Sequence, residues 1–367
     1  MSADGFFVIG ATHHRAPIEV REKLSLAAAT AESLRTELPQ MAGLHEFAML
    51  NTCNRIEFYG VASDPEVVGK VTAAFCSKQN FDHETFGKIC LRLHGHHAVQ
   101  HLVSVAAGLD SQMLGETEIF GQIKDAYAIA QERRSTGRVL NRLFQKGFQA
   151  AKHVRTQTAI TEGQVSIANV AVDLALTIFG SLAQTRILLL GAGDIGEKTA
   201  KAFQSRGAAA LTVASRRLEH AMELATSLGA SAMPFEQTSA RLSEFDVVVC
   251  ATAAPTAVVA HAAAEAAIRK RPVRPLFFID LALPRDVEPS VSTLDNVFVY
   301  NLDDLAKIAE SNRAAREVEL VKARAIVAEK AEALWQQVEP HVAALRGTAR
   351  EAFAGSLESA PRAPTGS

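Results

Sequence analysis

Apolar and polar positions change rhythm along this chain. Near the N-terminus Phe6-Phe7-Val8-Ile9-Gly10 predicts a strand, and the polar loop Ala11-Thr12-His13-His14-Arg15-Ala16-Pro17 follows it. The spacing from Val20 to Leu44 is helical. Phe47-Ala48-Met49-Leu50, then Ile56, Phe58 and Gly60 in alternation, predict a buried strand that delivers Cys53 to a polar end. Asp64-Pro65-Glu66 opens a helix through Cys76, and Val99 to Ala107 is helical again. A loop of small and polar residues from Gly108 to Glu116 precedes helical periodicity from Glu118 to about Ala159. Strands alternating with helices, then helices alone, predict an α/β domain with a helical second half.

Glu162-Gly163-Gln164 breaks that run, and Val165 to Phe179 predicts one more helix. From Arg186 the order becomes strand, helix (Gly196 to Ser205), strand (Ala210 to Ala214), helix (Leu218 to Leu228) and a short strand at Ala232-Met233-Pro234. Asp246 to Thr252 and Leu276 to Asp280 are continuous apolar runs, the pattern of strands covered on both faces. The stretch from about 185 to 300 therefore predicts a doubly wound parallel sheet. Beyond Leu302 the chain is helical and rich in charge. Leu320, Val327 and Leu334, interleaved with Arg324, Ala331 and Val338, form a broken seam of four-three spacing that predicts packing along a partner helix. Pro340 is expected to end or kink that helix, and Ser356 to Ser367 to lack order.

Length and composition narrow the class. A chain of 367 residues is expected to form two or three domains. With 48% hydrophobic and 21% charged residues it reads as a soluble globular protein, and a net charge of -2 excludes a global basic field. Cys53, Cys76, Cys90 and Cys250 form no C-x-x-C pair, which argues against structural zinc and a disulfide scaffold and for a reducing cytoplasm. No signal peptide and no membrane-spanning run is recognisable.

Chemistry concentrates in two places. Cys53 lies in Asn51-Thr52-Cys53-Asn54-Arg55-Ile56-Glu57, two residues from an arginine that could favour a thiolate or hold a carboxylate. Ile187-Leu188-Leu189-Leu190-Gly191-Ala192-Gly193-Asp194-Ile195-Gly196 is a strand running into a G-x-G-x-x-G turn and a helix, the dinucleotide-binding pattern. The second strand of that fold ends in Ser215-Arg216-Arg217, which suits a 2′-phosphate, so NADPH is expected over NADH. The loop Ala253-Ala254-Pro255 lacks a glycine expected near a nicotinamide. A reactive thiol with a dinucleotide site predicts a thioester reduced by hydride. His94, His96, His97 and His101 have no carboxylate or cysteine at clear ligand spacing, and no metal is expected. On these residues alone, a dehydrogenase with another acyl donor and a non-catalytic binding paralogue stay open.

Three motifs resemble the glutamyl-tRNA reductase family. They are Gly10-Ala11-Thr12-His13-His14-Arg15-Ala16-Pro17-Ile18-Glu19-Val20-Arg21-Glu22, the Asn51–Glu57 segment, and His101-Leu102-Val103 through Gly108-Leu109-Asp110-Ser111-Gln112-Met113-Leu114-Gly115-Glu116, followed by Gly121-Gln122-Ile123-Lys124. The match runs from residue 6 to about 340 in consistent order. The resemblance implies an N-terminal α/β catalytic domain (1–158), a Rossmann-type NADPH domain with a parallel sheet (159–303), a shortened helical dimerisation region (304–350) and a tail (351–367), in a V-shaped homodimer. It implies that Cys53 attacks glutamyl-tRNA, that a thioester remains, and that NADPH reduces it to glutamate-1-semialdehyde, the first step of the C5 route to tetrapyrroles.

The roles it implies fall on matching positions. Arg55 would clamp the substrate carboxylate, Thr52 and Ser111 would hydrogen-bond the glutamyl group, and His101 would lie beside the thiol. Asn54, Glu116 and Gln122 would shape the same pocket. Gly191, Ala192, Gly193, Asp194, Ile195, Gly196, Ser215, Arg216 and Arg217 would hold the cofactor. A complex with glutamate-1-semialdehyde aminomutase is also implied. Lys146, Lys152, Arg155, Arg133 and Arg134 are candidates for contacts to tRNA phosphates.

Overall fold

The computed structural model describes residues 5–112, 118–161, 166–310 and 317–358. The chain divides into two compact units, Met1–Glu162 with Arg316–Ser367, and Gly163–Ala315.

The first unit contains β1 (Phe6–Thr12), α1 (Ile18–Leu24), α2 (Ala28–Glu37), β2 (Leu44–Asn51), β3 (Arg55–Ala62), α3 (Glu66–Gln79), α4 (His83–Ile89), β4 (Leu91–His94), α5 (Gly95–Ala107), α6 (Glu118–Glu132) and α7 (Arg138–Gln157). Its sheet is antiparallel with order β2-β3-β1-β4. Alternation along the strands sends Phe6, Val8, Ala48, Leu50, Tyr59 and Val61 to one face, where α5, α6 and α7 bury them. Phe7, Ile9, Phe47, Met49 and Phe58 take the other face, under α1 to α4. Both faces are covered, so these antiparallel strands are nearly continuously apolar. The long helical pattern after Glu118 is two helices, split where Arg134 adopts φ 55.

The second unit comprises α8 (Ile167–Phe179), β5 (Arg186–Leu190), α9 (Asp194–Ser205), β6 (Ala210–Ser215), α10 (Leu218–Leu228), β7 (Ser231–Pro234), the short α11 (Thr238–Arg241), β8 (Val247–Cys250), α12 (His261–Arg269), β9 (Leu276–Asp280), β10 (Val297–Asn301) and α13 (Leu302–Glu310). Its parallel sheet has the order β10-β9-β8-β5-β6-β7. Strand order reverses between β8 and β5, and in such sheets ligands bind outside the carboxyl ends at that reversal. The doubly wound sheet read from the apolar runs is therefore present.

The last helix, α14 (Glu317–Glu358), belongs to the first unit. Here the structure corrects the seam. Ala323, Val327, Ala331, Leu334, Val338 and Val342 are buried in the same core as α5 and α7, and Leu320 is buried as well, so the seam's partner helices are in this chain. Arg324 is exposed, and Ala323 takes the inward position instead. Pro340 does not end the helix, which continues past it on an exposed flank where the unpaired backbone carbonyl can meet water. The expected disordered stretch is helical to Glu358, and 359–367 lie outside the described residues. Among the described residues no helix is long and apolar enough to cross a membrane.

Candidate active site

Cys53 sits in the tight turn between β2 and β3. Thr52 builds that turn by accepting from the backbone N–H groups of Asn54 and Arg55 at 3.1 and 3.2 Å. His13 N–H donates to the Asn54 carbonyl at 2.9 Å, tying the turn to the loop after β1. Arg21, on α1, holds it from the other side. Its Nη1 donates to the Cys53 carbonyl at 3.0 Å and to Asn54 Oδ1 at 2.7 Å, and its Nε to the Ala16 carbonyl at 3.2 Å. Cys53 is half-buried, whereas Cys76, Cys90 and Cys250 are buried, as their apolar settings predict. Burial pushes the Cys76 thiol up to about 11 and that of Cys250 well above its ordinary range, with Asp280 and Asp286 adding to the latter. Thiolate chemistry is suppressed at both.

Beside the turn lies a buried charge network. Arg55, Glu57 and Tyr59 stand at alternate positions of β3 and so share one face. His101 reaches them from α5. That helix ends at Gly108, whose φ of 80 turns the chain back and brings Asp110 over Arg55. Arg55 Nη1 donates to Glu57 Oε1 at 2.8 Å and to Asp110 Oδ2 at 2.9 Å, and Nη2 donates to the Asp110 carbonyl. Glu57 Oε1 also meets His101 Nε2 at 2.9 Å, and Tyr59 Oη donates to Glu57 Oε2. His14 Nε2 meets Asp110 Oδ1 at 3.2 Å.

Burial would raise the Glu57 carboxyl, but His101 and Arg55 hold it down at about 2. Asp110 is likewise held well below the usual carboxylate range, against its burial, by His14, Arg55 and His101. Burial opposes the charge on Arg55, and Glu57 and Asp110 more than offset it. Burial, His14 and Arg55 lower His13 to about 3, so this ring is neutral at pH 7. Glu57, His101 and Asp110 offer ligand atoms within 4.8 Å of one another, a spacing a metal could use. The Arg55 guanidinium between the two carboxylates already supplies one positive charge there.

The structure thus gathers Thr52, Cys53, Asn54 and Arg55 in one turn and sets His101 against Glu57, the acid that pairs with Arg55. Arg55 is no open fork: its side chain is 1% exposed, and a substrate carboxylate would have to displace Asp110 to reach both Nη groups. Among the described residues, Arg55 Nε and Ser111 Oγ are buried without a hydrogen-bond partner, so both are available to a ligand. Gln122 is half-buried on α6, and no hydrogen bond among the described residues ties it to the network. Glu116 lies outside the described residues. Glu57, Tyr59, Asp110 and Arg21 carry the network without having been assigned roles from sequence. Polar side chains at three alternate positions of an otherwise apolar strand were the legible signal for the first two.

In the second unit the glycine-rich turn fits a dinucleotide. Gly191, at φ 104, closes the turn after β5, where a Cβ would lie 2.3 Å from the Ala251 carbonyl oxygen. A Cβ on Gly196 would lie 2.4 Å from the Gly191 carbonyl oxygen, so this glycine lets α9 pack tightly. Gly193 has nothing within 4 Å of the corresponding position, leaving space at the α9 N-terminus for a pyrophosphate. Ala192 and Ile195 are half-buried in this turn, and Asp194 is exposed and paired with Lys198 at 2.7 Å. Ser215 ends β6, and Arg216 and Arg217 follow it exposed, where they can meet a 2′-phosphate. At the carboxyl ends of β8 and β9, Asp286 accepts from Thr252 N–H at 2.8 Å, and burial beside Asp286 pushes Asp280 up to about 7.

Residues 9–158 match the family model described as Glutamyl-tRNAGlu reductase, N-terminal domain, and residues 173–308 the one described as Shikimate / quinate 5-dehydrogenase. The glutamyl-tRNA reductase of Trichlorobacter lovleyi is 36% identical over 357 residues, covering 96% of this chain and 82% of that protein. That of Desulfotalea psychrophila is 38% identical over 357 residues, covering 96% and 83%. Among solved structures, glutamyl-tRNA reductase from Methanopyrus kandleri matches with a TM-score of 0.50 at 34% identity, covering 91% of this chain and 80% of that one.

Proposed function

The chain belongs to the glutamyl-tRNA reductase family, and from that membership we propose that it converts glutamyl-tRNA(Glu) to glutamate-1-semialdehyde with NADPH, the first step of the C5 route to 5-aminolevulinate and porphyrins. The observation that carries this reading is the placement of Cys53, half-buried on a turn held by Thr52 and Arg21 beside the Arg55, Glu57 and His101 network.

Cys53 Sγ attacks the ester carbonyl, the carbon–oxygen bond to the terminal ribose breaks, and a thioester remains on Cys53. The departing ribose hydroxyl needs a proton. His101 donates Nε2–H to Glu57, which leaves Nδ1 to take the Cys53 thiol proton as the sulfur attacks and to pass it to the ribose oxygen. Thr52, Asn54, Arg55, Ser111, Glu116 and Gln122 hold the glutamyl group, with Ser111 Oγ and Arg55 Nε the buried groups still to be satisfied. Bound NADPH would supply the hydride that forms the aldehyde C–H bond, and the carbon–sulfur bond breaks to return Cys53 as thiolate. Gly191, Ala192, Gly193, Asp194, Ile195 and Gly196 would receive its pyrophosphate, and Ser215, Arg216 and Arg217 its 2′-phosphate. A reduced thiol fits a cytoplasmic enzyme. A homodimer and transfer of the product to the aminomutase complete the proposal, checked by sedimentation and by co-migration at micromolar concentration.

The test is a single turnover with glutamate-labelled glutamyl-tRNA, with and without NADPH, and mass analysis of the Cys53 peptide. A glutamyl adduct on Cys53 that disappears as semialdehyde forms is expected. Semialdehyde formation by Cys53→Ser would remove the covalent route, and no adduct and no product from protein that binds NADPH would remove the reaction.

A further inference from the structure

Several exposed cations of this protein are paired along their own helices. Lys70 meets Glu66, Lys88 meets Glu84, Lys201 meets Glu197 and Arg269 meets Glu265, each four residues apart. Helix α7 is different: Arg138–Gln157 contains Arg138, Arg142, Lys146, Lys152 and Arg155 and not one Asp or Glu. Among the described residues no carboxylate pairs with Arg138, Arg142, Lys146 or Lys152. Arg142 Nη2 donates to Gln337 Oε1 at 2.8 Å, and Lys146 Nζ to Gln149 Oε1 at 3.0 Å.

The geometry selects among the cations. Arg155 turns inward, donating to the carbonyls of Ala107 and Ala106 at 3.3 and 3.2 Å and lying over the Phe120 ring. Arg133 is forked onto Glu32 at 2.5 and 2.6 Å. Arg134 stands in the left-handed turn before α7. What remains outward is a stripe of Arg138, Arg142, Gln145, Gln149 and Lys152, spaced four, three, four and three residues apart, which keeps them on one helix face. From Arg138 to Lys152 it runs ~21 Å at 1.5 Å per residue.

Against this stripe, α14 leaves a groove of about 480 Å³ whose polar walls are Arg138, Asn141, Arg142, Gln145, Gln337 and His341. No acid of α14 is among the residues that line this groove. Glu332 faces α5, where His96 Nε2 meets it at 3.4 Å, and Glu339, seven residues on, shares that flank. Glu329, which senses His153 of α7, is taken by Lys330 at 2.9 Å. Cations and amides without competing carboxylates match a partner that is uniformly negative and rich in acceptors.

We infer that the cationic stripe of α7 and the groove beside α14 are the docking surface for the sugar–phosphate backbone of an RNA, deepening the reading above that the acyl group arrives on a tRNA. The arginines and lysines take phosphates and the amides of Asn141, Gln145 and Gln337 take phosphate or ribose oxygens. Such contacts fix position and carry little sequence information. No residue of this surface belongs to the Cys53 network, so its loss weakens binding and leaves the chemistry intact.

The experiment compares the triple variant Arg138→Gln, Arg142→Gln, Lys152→Gln with a charge-matched control, Lys70→Gln, Lys88→Gln, Arg269→Gln. Uncharged tRNA(Glu) is titrated at a series of salt concentrations, and single-turnover reduction of glutamyl-tRNA and of a glutamyl ester of adenosine is measured. The triple variant should bind tRNA at least tenfold more weakly. Its slope of log K against log salt should be shallower by about 2, at roughly 0.7 per lost phosphate contact. The control should bind as wild type, and the ester should be reduced equally by all three proteins. Wild-type affinity and slope in the triple variant would overturn the surface while leaving the proposed reaction standing. Wild-type protein that binds tRNA through this stripe but reduces neither substrate would overturn the reaction and leave the surface.

Discussion

Glu57 Oε1 lies 2.8 Å from Arg55 Nη1, and both side chains are shut off from solvent. A carboxylate this deep keeps its charge because Arg55 and His101 pair with it and Tyr59 donates to it. Its folded pKa, about 2, lies below the unfolded value of about 4.3. A depressed acid contributes stability that is complete above the unfolded pKa and lost as pH falls through the folded one. Glu57→Gln should therefore destabilise the first unit by about 3 kcal/mol at pH 7, the cost of leaving Arg55 partly unpaired. The gap to wild type should narrow as pH falls from about 4.5 toward 2. Thermal unfolding of both proteins at pH 7 and pH 3 checks this, and equal gaps at the two pH values would refute it.

Much of this was legible in sequence. The Rossmann strands were, because continuous apolar runs between short turns have few other readings. β4 was not: Leu91-Arg92-Leu93-His94 is only four residues, alternately half-buried and exposed. Its place beside β1 comes from tertiary pairing. Cys53 and Arg55 were visible by type and spacing, but the buried pairing of Arg55 with Asp110 was not. Asp110 is distant in sequence and arrives only because Gly108 turns the chain. The seam on α14 was legible as an apolar stripe and its partner was not, since periodicity says that a face is buried and not against what.

That stripe makes its own prediction. Leu334 is 4% exposed and packs in the core of the first unit. Leu334→Ala should cost about 2 to 5 kcal/mol through the cavity it leaves. The loss should be the same at every protein concentration, because the contacts lie within one chain. Unfolding midpoints across a hundredfold dilution, with the mass in solution measured alongside, decide the point. A wild-type midpoint with a reduced mass would place the seam between subunits instead.

Arg216 follows β6 with its side chain exposed, where the fold presents the second ribose. A charge-assisted bond to a 2′-phosphate contributes about 1.5 to 3 kcal/mol. Arg216→Asp should therefore lower kcat/KM with NADPH relative to NADH by about tenfold or more. The ratio measured with both cofactors is the readout, and an unchanged ratio would sink this assignment.

Gly191 and Gly193 share one turn and should fail in opposite ways. At Gly191, φ 104 and a backbone oxygen 2.3 Å from where a Cβ would lie leave no room for a side chain. Gly191→Ala should cost the second unit about 1 to 3 kcal/mol, seen as a lower unfolding midpoint without any cofactor present. Gly193 has φ -84 and nothing within 4 Å, so alanine fits the fold, and Gly193→Ala should change stability by less than about 0.5 kcal/mol. Its new methyl would stand where the phosphates approach the α9 N-terminus, so NADPH should bind about tenfold more weakly by titration. Wild-type NADPH affinity in Gly193→Ala would mean that this turn does not hold the pyrophosphate, whatever Gly191→Ala does to the fold.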